Sequence, residues 1–410
     1  MEKLARDGGP KVRTQPFPRR VLFEQEEIDL VTDAIRSQNL FGWSGHYVSD
    51  FQEGFAKLYG VKHAVASTSG TASIHVAVGA VNPNPGDEII TAPITDLGSV
   101  VPILLQNAIP IFADVDHTYN MDPADVERRI TDRTRAIMAV HLFGNACDMD
   151  AMADIARRHN LVLIEDSSQA HVTKYKGRYL GTIGDIGCFS LQQSKHLTTG
   201  DGGMTITNND AFGERMRFFA DKGYARAGYG PRAYRFLAPC YRMNEQTAAV
   251  GIPQLKRVRS RVERRMQLGH RLTELLSDID GIRPAPVTEG SEHSYWNYPV
   301  WVEKWDPREF AGALSAEGVG AGAGYIGKPI YICAECCASK VTYGDSHFPF
   351  DSPYTDRKIE YDENLCPQTQ RALDHMINMG LNENYSEDDV RDMAAAVHKV
   401  ATLLPPKQAQ

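Results

Sequence analysis

Three groups of residues in this chain have the types and spacing needed for chemistry on a charged organic ligand. Lys195 lies in the segment FSLQQSKHLTTGDGG, after an apolar run and before several glycines. Asp166 ends the apolar run LVLIED. Ser69, Gly70 and Thr71 lie between a short apolar segment and a helical one. Each group alone has an ordinary explanation, and only their joint occurrence indicates a shared site.

The residue types indicate what each group could do. A lysine in an enclosed site has a lowered pKa and can form a Schiff base with an aldehyde. A carboxylate at the end of a parallel strand can hold a charged heterocyclic nitrogen, or it can cap the next helix. Free backbone N–H groups and hydroxyls at the start of a helix suit a phosphate, although an ordinary helix cap also explains them. Together, in this order, the three groups suit pyridoxal phosphate.

The elements that would position these residues alternate along the first part of the chain. Short apolar runs such as HAVAS, DEIITAP, IPIFADV and LVLIED predict strands, and TASIHVAVGAV and MDAMADIARRHN predict helices. Apolar strands separated by helices indicate a parallel sheet that is covered on both faces. A long charged amphipathic helix begins near residue 255 and could bridge two domains. We therefore predict a large α/β domain with an N-terminal arm over 1–255 and a smaller α+β domain over 256–410.

Composition and charge exclude several classes of function. The 44 Lys and Arg residues against 52 Asp and Glu residues give a net charge of −8, so we expect no nucleic-acid partner. No apolar run approaches the roughly 20 residues of a membrane span, and the first residues lack a signal-peptide pattern. Seven cysteines, an odd number in a long chain, favour reduced thiols. We therefore expect a cytoplasmic protein without a membrane partner.

Ordered blocks of sequence resemble one family over about residues 40–255, and more weakly beyond. They include GDEIITAP, IPIFADVD, LIEDSSQAH, GDIGCFS, SKHLTTGDGG and YRMNEQTAAVGIPQL, and they are similar to those of DegT/StrS-type sugar and cyclitol aminotransferases. The resemblance implies fold type I of the pyridoxal phosphate-dependent transferases. This fold has a large domain with a mostly parallel seven-stranded sheet between helices, plus a smaller α+β C-terminal domain. The implied cofactor is pyridoxal 5'-phosphate.

The resemblance also assigns roles to residues at matching positions. Lys195 would form the Schiff base with the cofactor and move the proton, and Asp166 would hold the pyridine nitrogen. Gln169 would lie against the ring near its phenolic oxygen. The cofactor's phosphate end would be bound by Ser69, Gly70, Thr71, Ser190 and, from the neighbouring subunit, Asn244. This last role implies a homodimer with shared active sites, while a helix cap before EQTAAVGI remains the alternative for Asn244.

One position departs from the family pattern. Asp96, in APITDLGS, lies where members usually carry an aromatic residue that stacks on the cofactor. A carboxylate cannot stack, so either another side chain covers that face or the pocket holds a polar or cationic substrate group there. Three further residues are candidates for contact with substrate: His141, Tyr325 and Lys328. For each of the three, ordinary packing is an equally good explanation.

The segment ICAECC raises the question of a metal site. It supplies Cys333, Cys336 and Cys337, with His347 and Cys366 downstream. A structural zinc ion needs four ligands in a closed geometry, and only one CxxC spacing is present. We therefore predict no metal.

The leading hypothesis is a pyridoxal phosphate-dependent aminotransferase of amino-sugar or aminocyclitol biosynthesis, with a ping-pong mechanism. The block SLQQSKHLTTGDGG resembles the branch that aminates cyclitols, which often uses L-glutamine as the donor; L-glutamate is the alternative. The acceptor would be a keto-cyclitol or keto-sugar. A sugar dehydratase on the same fold is a second hypothesis, which Lys195 disfavours and the adjacent His196 keeps open. A non-catalytic, cofactor-binding regulator is a third, which an intact pair of Asp166 and Lys195 disfavours.

Overall fold

The structure is a computed structural model that describes residues 3–226 and 228–407. Its strands are β1 (His63–Ser67), β2 (Glu88–Thr91), β3 (Ile109–Phe112), β4 (Thr134–Val140), β5 (Val162–Asp166), β6 (Lys174–Tyr175), β7 (Arg178–Tyr179), β8 (Ile186–Ser190), β9 (Gly203–Thr207), β10 (Tyr224–Ala225), β11 (Ala233–Tyr234), β12 (Ile282–Arg283), β13 (Tyr298–Val302), β14 (Ala321–Ala323) and β15 (Met376–Met379). Its α-helices are α1 (Gln25–Arg36), α2 (Tyr47–Tyr59), α3 (Gly70–Val81), α4 (Val101–Leu105), α5 (Pro123–Arg129), α6 (Met149–Arg158), α7 (Asp210–Phe219), α8 (Glu245–Leu276), α9 (Pro307–Ala316), α10 (Ile330–Cys333), α11 (Glu335–Ala338), α12 (Pro367–Leu373) and α13 (Glu387–Leu403).

A seven-stranded sheet with the order β1-β9-β8-β5-β4-β2-β3 forms the centre of the large domain. Neighbouring strands are parallel except at β9, which is antiparallel to both β1 and β8. Alternate residues of one strand enter different cores, because successive side chains point to opposite faces. Ala64 and Ala66 pack with α2 and α8, whereas Val65 between them packs with α3 and α7. The predicted sheet, mostly parallel and covered on both faces, is confirmed.

The C-terminal part contains a four-stranded antiparallel sheet with the order β12-β13-β15-β14. Buried residues of α9 and α13 pack with it in one core. The helix α8 joins the two parts: Val258 and Val262 belong to the core of the large sheet, and Leu268 and Leu272 belong to the C-terminal core. The boundary predicted between residues 255 and 256 falls inside this continuous helix and stays a prediction.

Two segments pack against a different domain from the one that their position in the sequence would suggest. Leu4 is buried in the C-terminal core, and the backbone N–H of Ala5 donates to Glu317 Oε1 at 2.7 Å. In the opposite direction, Tyr331 and Tyr361 are buried in a core of the large sheet. The N-terminal arm therefore contacts the small domain, and the cysteine-bearing segment contacts the large one. In the described residues, no helix combines the length and the apolar character that crossing a membrane requires.

Candidate active site

A cavity of about 380 Å³ opens where β5 and β8 end. In a sheet of parallel strands the carboxyl ends meet at one edge, which is where ligands bind. Eight of the residues predicted for the site line this cavity: Ser69, Gly70, Thr71, Asp96, Asp166, Gln169, Ser190 and Lys195. The fold therefore brings together an amine, a carboxylate and a helix N-terminus that are far apart in sequence.

Asp166 is almost fully buried at the end of β5, and hydrogen bonds hold both of its carboxylate oxygens. Ser99 Oγ donates to Oδ2 at 2.8 Å, and the backbone N–H of Ser168 donates to Oδ1 at 3.1 Å. Thr95 Oγ1 lies 2.6 Å from Ser99 Oγ, which extends the network. Sequence reasoning missed Ser99 and Thr95, although both lie in the segment of Asp96. The fixed carboxylate is suited to bond a protonated ring nitrogen.

Lys195 lies in the turn after β8 and is half-buried. Burial lowers the pKa of its ammonium from the usual 10.5 to about 8, while the negative charges of Asp166 and Asp96 act in the opposite direction. Its Nζ lies 3.7 Å from the ring centroid of Trp296, within the range of a cation–π contact. With this pKa, roughly one lysine in ten is neutral at pH 7. The neutral amine is the form that attacks a carbonyl group.

The helix α3 begins at Gly70, directly against the end of β8. Ser69 caps this helix, since its side chain accepts the backbone N–H of Ala72 at 3.0 Å. A Cβ atom on Gly70 would lie 2.6 Å from the Cβ of Ser190, so no larger residue fits there. The hydroxyls of Thr71 and Ser190 lie beside this helix N-terminus on the cavity lining. Such an arrangement is suited to a phosphate group.

Gln169 lines the cavity in a fixed orientation. Its Oε1 accepts the backbone N–H of Phe143 at 2.7 Å, and its Nε2 donates to the hydroxyl of Tyr325 at 3.3 Å. The Tyr325 ring packs edge-on against Phe143, with 4.9 Å between the ring centroids. Burial raises the pKa of Tyr325 to about 12, so its hydroxyl is protonated at neutral pH. The structure places Tyr325 behind Gln169 rather than on the lining itself.

Asp96 lines the cavity with an exposed carboxylate. Its Oδ1 accepts the backbone N–H of Gly98 at 2.8 Å, which caps the short 3-10 turn Leu97–Ser99. This turn carries the serine hydroxyl that bonds Asp166. Asp96 therefore organises its own loop and adds a negative charge near Lys195.

Trp296 is the main feature of the lining that sequence reasoning missed. It precedes β13 in the C-terminal part, and its Nε1–H donates to the carbonyl oxygen of Ser194 at 3.1 Å. Its ring covers the amine of Lys195. The aromatic segment YWNYPVWVE was the available signal, but nothing in its spacing indicates a contact with a turn about one hundred residues earlier.

Two histidines named from the sequence, His141 as a possible substrate contact and His196 in the dehydratase hypothesis, are buried away from the cavity lining. His141 Nε2 lies 3.1 Å from Glu165 Oε2. Side chains alternate along β5, so Glu165 faces away from the cavity that Asp166 lines, and His141 packs with it. His196 is also fully buried, and its Nε2 donates to a backbone carbonyl at 3.0 Å. Burial and the positive charge of Arg265 lower the pKa of His196 far below its usual range.

The last two candidates are exposed and lie outside the lining of the cavity. Asn244 caps α8, because its Oδ1 accepts the backbone N–H of Thr247 at 2.9 Å. The Nζ of Lys328 lies 3.5 Å from Glu363 Oε1 in a solvent-exposed ion pair. Within one chain, Asn244 therefore acts as a helix cap and Lys328 as a surface residue.

The cysteines downstream of the site are distributed between core and surface. Cys337 and Cys366 are buried, whereas Cys333 is exposed. Across residues 3–226 and 228–407, no group of three or more His, Cys, Asp and Glu side chains is placed to hold a metal ion.

The residues on the lining fit pyridoxal phosphate. Lys195 has an amine of lowered pKa for the aldehyde, and Asp166 has an oriented carboxylate for the ring nitrogen. The N-terminus of α3, at Gly70 and Thr71, lies on the cavity lining, where its backbone N–H groups and dipole suit a phosphate. Fold and site together define a pyridoxal phosphate-dependent enzyme of fold type I.

Comparisons with known proteins identify the family within this class. The model of the DegT/DnrJ/EryC1/StrS aminotransferase family matches residues 22–398, so the chain belongs to this family of aminotransferases. The spore coat polysaccharide biosynthesis protein SpsC of Bacillus subtilis is 32% identical over 395 residues, covering 92% of this chain and 95% of that protein. A putative L-glutamine:3-amino-2,3-dideoxy-scyllo-inosose aminotransferase of Micromonospora echinospora is 39% identical over 286 residues, covering 69% and 68%. The crystal structure of the aminotransferase TlmJ from Streptoalloteichus hindustanus is 26% identical, with a TM-score of 0.78 over 95% of this chain and 99% of that one.

These findings confirm the predicted family, fold class, enzyme class and cofactor. The roles of individual site residues remain predictions, which the arrangement on the lining supports to different degrees. Support is strongest for Lys195 and Asp166, whose surroundings match the chemistry that each would perform.

Proposed function

We propose that this chain transfers an amino group from L-glutamine or L-glutamate to the keto group of a cyclitol or sugar. The main observation in support is that an amine of lowered pKa, an oriented carboxylate and a helix N-terminus line one cavity. Side chains with hydroxyl or amide groups complete the lining and suit a polyol acceptor: Thr95, Ser168, Gln192 and Ser194. Relatives named as L-glutamine-dependent inosose aminotransferases support this choice of donor and acceptor.

Several residues of the chain would bind and orient the cofactor. When bound, pyridoxal phosphate supplies an electron sink for a carbanion at the carbon that carries the amino group. The negative charge of Asp166 would keep a proton on the ring nitrogen, and the bond from Ser99 holds its carboxylate in one orientation. Gly70 and Ser190 would bind its phosphate, and Gln169 would contact its ring.

Lys195 would bond the cofactor and move the substrate proton at its Nζ. An ordinary lysine is neutral in roughly three molecules of ten thousand at pH 7, whereas a pKa of about 8 raises this fraction several hundredfold. A neutral Nζ would take the proton from the carbon that carries the amino group, and the resulting ammonium would donate it to the former aldehyde carbon of the cofactor rather than back to the first carbon. The Trp296 ring, 3.7 Å from Nζ, covers one side of the amine.

We also propose a homodimer with shared active sites. Large apolar side chains are exposed along the N-terminal part of the described chain: Val21, Phe23, Ile28, Ile35, Leu40, Phe41 and Trp43. Such a concentration of exposed apolar surface marks a protein interface. Asn244 uses the oxygen of its amide as a helix cap, and the N–H groups of that amide would reach the partner's phosphate. Sedimentation equilibrium would give the mass of two chains, and Asn244→Asp would weaken cofactor binding while keeping the cap.

Absorption spectra of the purified protein with pyridoxal phosphate test the proposed reaction. We expect a visible band from the cofactor bound at Lys195 in the wild type and its absence in Lys195→Ala. Lys195→Arg is the matched control, because it keeps a positive charge but cannot bond the aldehyde. L-glutamine should then replace the band by that of pyridoxamine phosphate and release an oxo acid. A wild type without the visible band would refute the function.

The acceptor is tested on the enzyme that carries the amino group. An inosose should restore the visible band and yield an aminocyclitol, and a nucleotide-linked keto-sugar provides the comparison. A response to L-glutamate but not to L-glutamine would keep the reaction and change the donor. Removal of a hydroxyl from the acceptor without transfer of nitrogen would instead identify a dehydratase, and a bound cofactor without any turnover would identify a regulator.

A further inference from the structure

One arginine of the N-terminal arm reaches the backbone of the lysine turn. Arg20 Nη1 donates to the carbonyl oxygens of Ser194 and Lys195, at 3.1 and 3.0 Å. Its Nε donates to Glu383 Oε1 at 3.0 Å, in an ion pair whose side chains are 14% and 6% exposed. A single guanidinium therefore joins the arm, the turn that carries the reactive lysine and the C-terminal domain.

Further hydrogen bonds hold both the arm that carries Arg20 and its partner Glu383. Asn382 Nδ2 donates to the carbonyl oxygen of Pro18 at 3.1 Å, which ties the arm to the C-terminal domain two residues before the arginine. Arg265, almost fully buried, donates through Nε to the other oxygen of Glu383 at 2.8 Å and through Nη1 to the carbonyl of Trp296 at 3.4 Å. The guanidiniums of Arg20 and Arg265 both bond Glu383. They therefore compensate the negative charge of this buried carboxylate and fix its orientation.

The position of the reactive amine depends on this turn. A lysine side chain is a flexible stem of four carbons, so it cannot by itself hold Nζ in one place. Its orientation depends on the peptide that carries it and on the Trp296 ring that covers it. The carbonyl oxygen of Ser194 accepts from both Trp296 Nε1 and Arg20 Nη1. Loss of the arginine would therefore loosen both supports of Nζ together.

We propose that Arg20 is a positioning residue for the transfer reaction. It fixes the Ser194–Lys195 peptide against the C-terminal domain through Glu383, and this keeps Nζ in the geometry that bond formation and proton transfer need. The inference rests on the proposed role of Lys195. Arg20 itself does not line the cavity that holds the reacting groups, so it acts through the lysine.

The experiment compares Arg20→Ala, Arg20→Lys and Arg19→Ala in the full-length protein. Arg19 is the matched control, because it is the adjacent arginine and its side chain is exposed. Three quantities are measured at 25 °C on protein whose fold is checked by circular dichroism: the rate of pyridoxal phosphate capture, kcat and the KM for the amino donor. For Arg20→Ala we expect capture and kcat to fall about 10- to 100-fold, as a misplaced reactive group predicts, with KM changed less than about threefold.

The conservative variant separates positioning from stability. In Arg20→Lys, an ammonium can bond the carbonyl oxygens but cannot also pair with Glu383 through a planar fork, so a partial recovery of about threefold or more is expected. Arg19→Ala should match the wild type in all three quantities. Equal capture rates and kcat in Arg20→Ala and Arg19→Ala would overturn the proposal, as would a loss of thermal stability with kcat unchanged per folded molecule. Failure of the wild type to capture the cofactor would overturn the proposed function first, and the role of Arg20 with it.

Discussion

The charge of Asp96 should control the pH at which Lys195 becomes reactive. Two opposing effects determine the pKa of this lysine: burial favours the neutral amine, and the carboxylates of Asp166 and Asp96 favour the ammonium. Replacing Asp96 by Asn removes one of these charges and keeps the shape of the side chain. The pKa of Lys195 should therefore fall further, and the neutral amine should be present at lower pH.

The size of this effect follows from the position of Asp96. The fall of the Lys195 pKa from 10.5 to about 8 corresponds to about 3 kcal/mol against the charged form. Asp96 is exposed, so solvent weakens its interaction with Nζ, and we expect its removal to lower the pKa by roughly 0.5 to 1 pH unit. At pH 7 the neutral fraction of Lys195 would then rise about three- to fivefold.

Stopped-flow absorbance gives the rate of pyridoxal phosphate capture between pH 6 and 9.5. The pKa of Lys195 is the pH at the midpoint of the rise in this rate. Titration of the free cofactor is common to all variants and cancels when their rates are compared. Asp201→Asn is the control, because Asp201 lines the same cavity but is not among the charges that act on the pKa of Lys195. An unchanged or raised midpoint in Asp96→Asn, or an equal fall in both variants, would refute the reasoning.

Three further predictions concern the phosphate end of the site at Gly70 and two buried side chains, Glu165 and His196. Gly70→Ala should weaken cofactor binding at least about tenfold in equilibrium dialysis, because its Cβ would lie 2.6 Å from that of Ser190. Unchanged affinity would contradict the proposed role of Gly70 in binding the phosphate. Glu165→Gln should lower the free energy of unfolding in urea by about 3 kcal/mol, because backbone N–H groups donate to both oxygens of its fully buried carboxylate, and the cofactor affinity of the folded fraction should not change. His196→Asn should keep kcat within about threefold per folded molecule despite a lower Tm, since this histidine is buried and bonds a backbone carbonyl; loss of the proton-transfer step would restore the dehydratase hypothesis.

The central sheet could be predicted because its strands are buried on both faces. Burial on both faces makes each strand a short continuous apolar run, and the run LVLIED ends at the residue where β5 ends. The packing of the arm could not be predicted in the same way. Leu4 lies in a core formed by residues near the other end of the chain, and local periodicity carries no information about such a partner.

The same physical limit separates the predicted from the missed residues of the site. Asp166 ends β5 and Lys195 follows β8, and the topology of a parallel sheet brings such positions to one edge. Trp296 and Arg20 contact the lysine turn across 102 and 174 residues of sequence. Their side chains are ordinary on their own segments, and only the folded chain shows what they support. His141 is a residue that the sequence suggested for the site and the fold places elsewhere. It follows a strand, as site residues do, but its side chain packs with Glu165, on the face of β5 opposite to Asp166.

The charges on the lining bear on the choice of acceptor. Asp96 and Asp201 line the cavity as exposed carboxylates beside Asp166, and the positive charge of Lys195, whose pKa is about 8, offsets only part of their negative charge. With a cofactor phosphate added, the groups that this chain contributes are predominantly negative. A pyrophosphate-linked sugar would meet repulsion there, whereas a neutral polyol or an acceptor that carries an amine would not. We therefore expect the proposed comparison of acceptors to give faster turnover with a free keto-cyclitol than with a nucleotide-linked sugar.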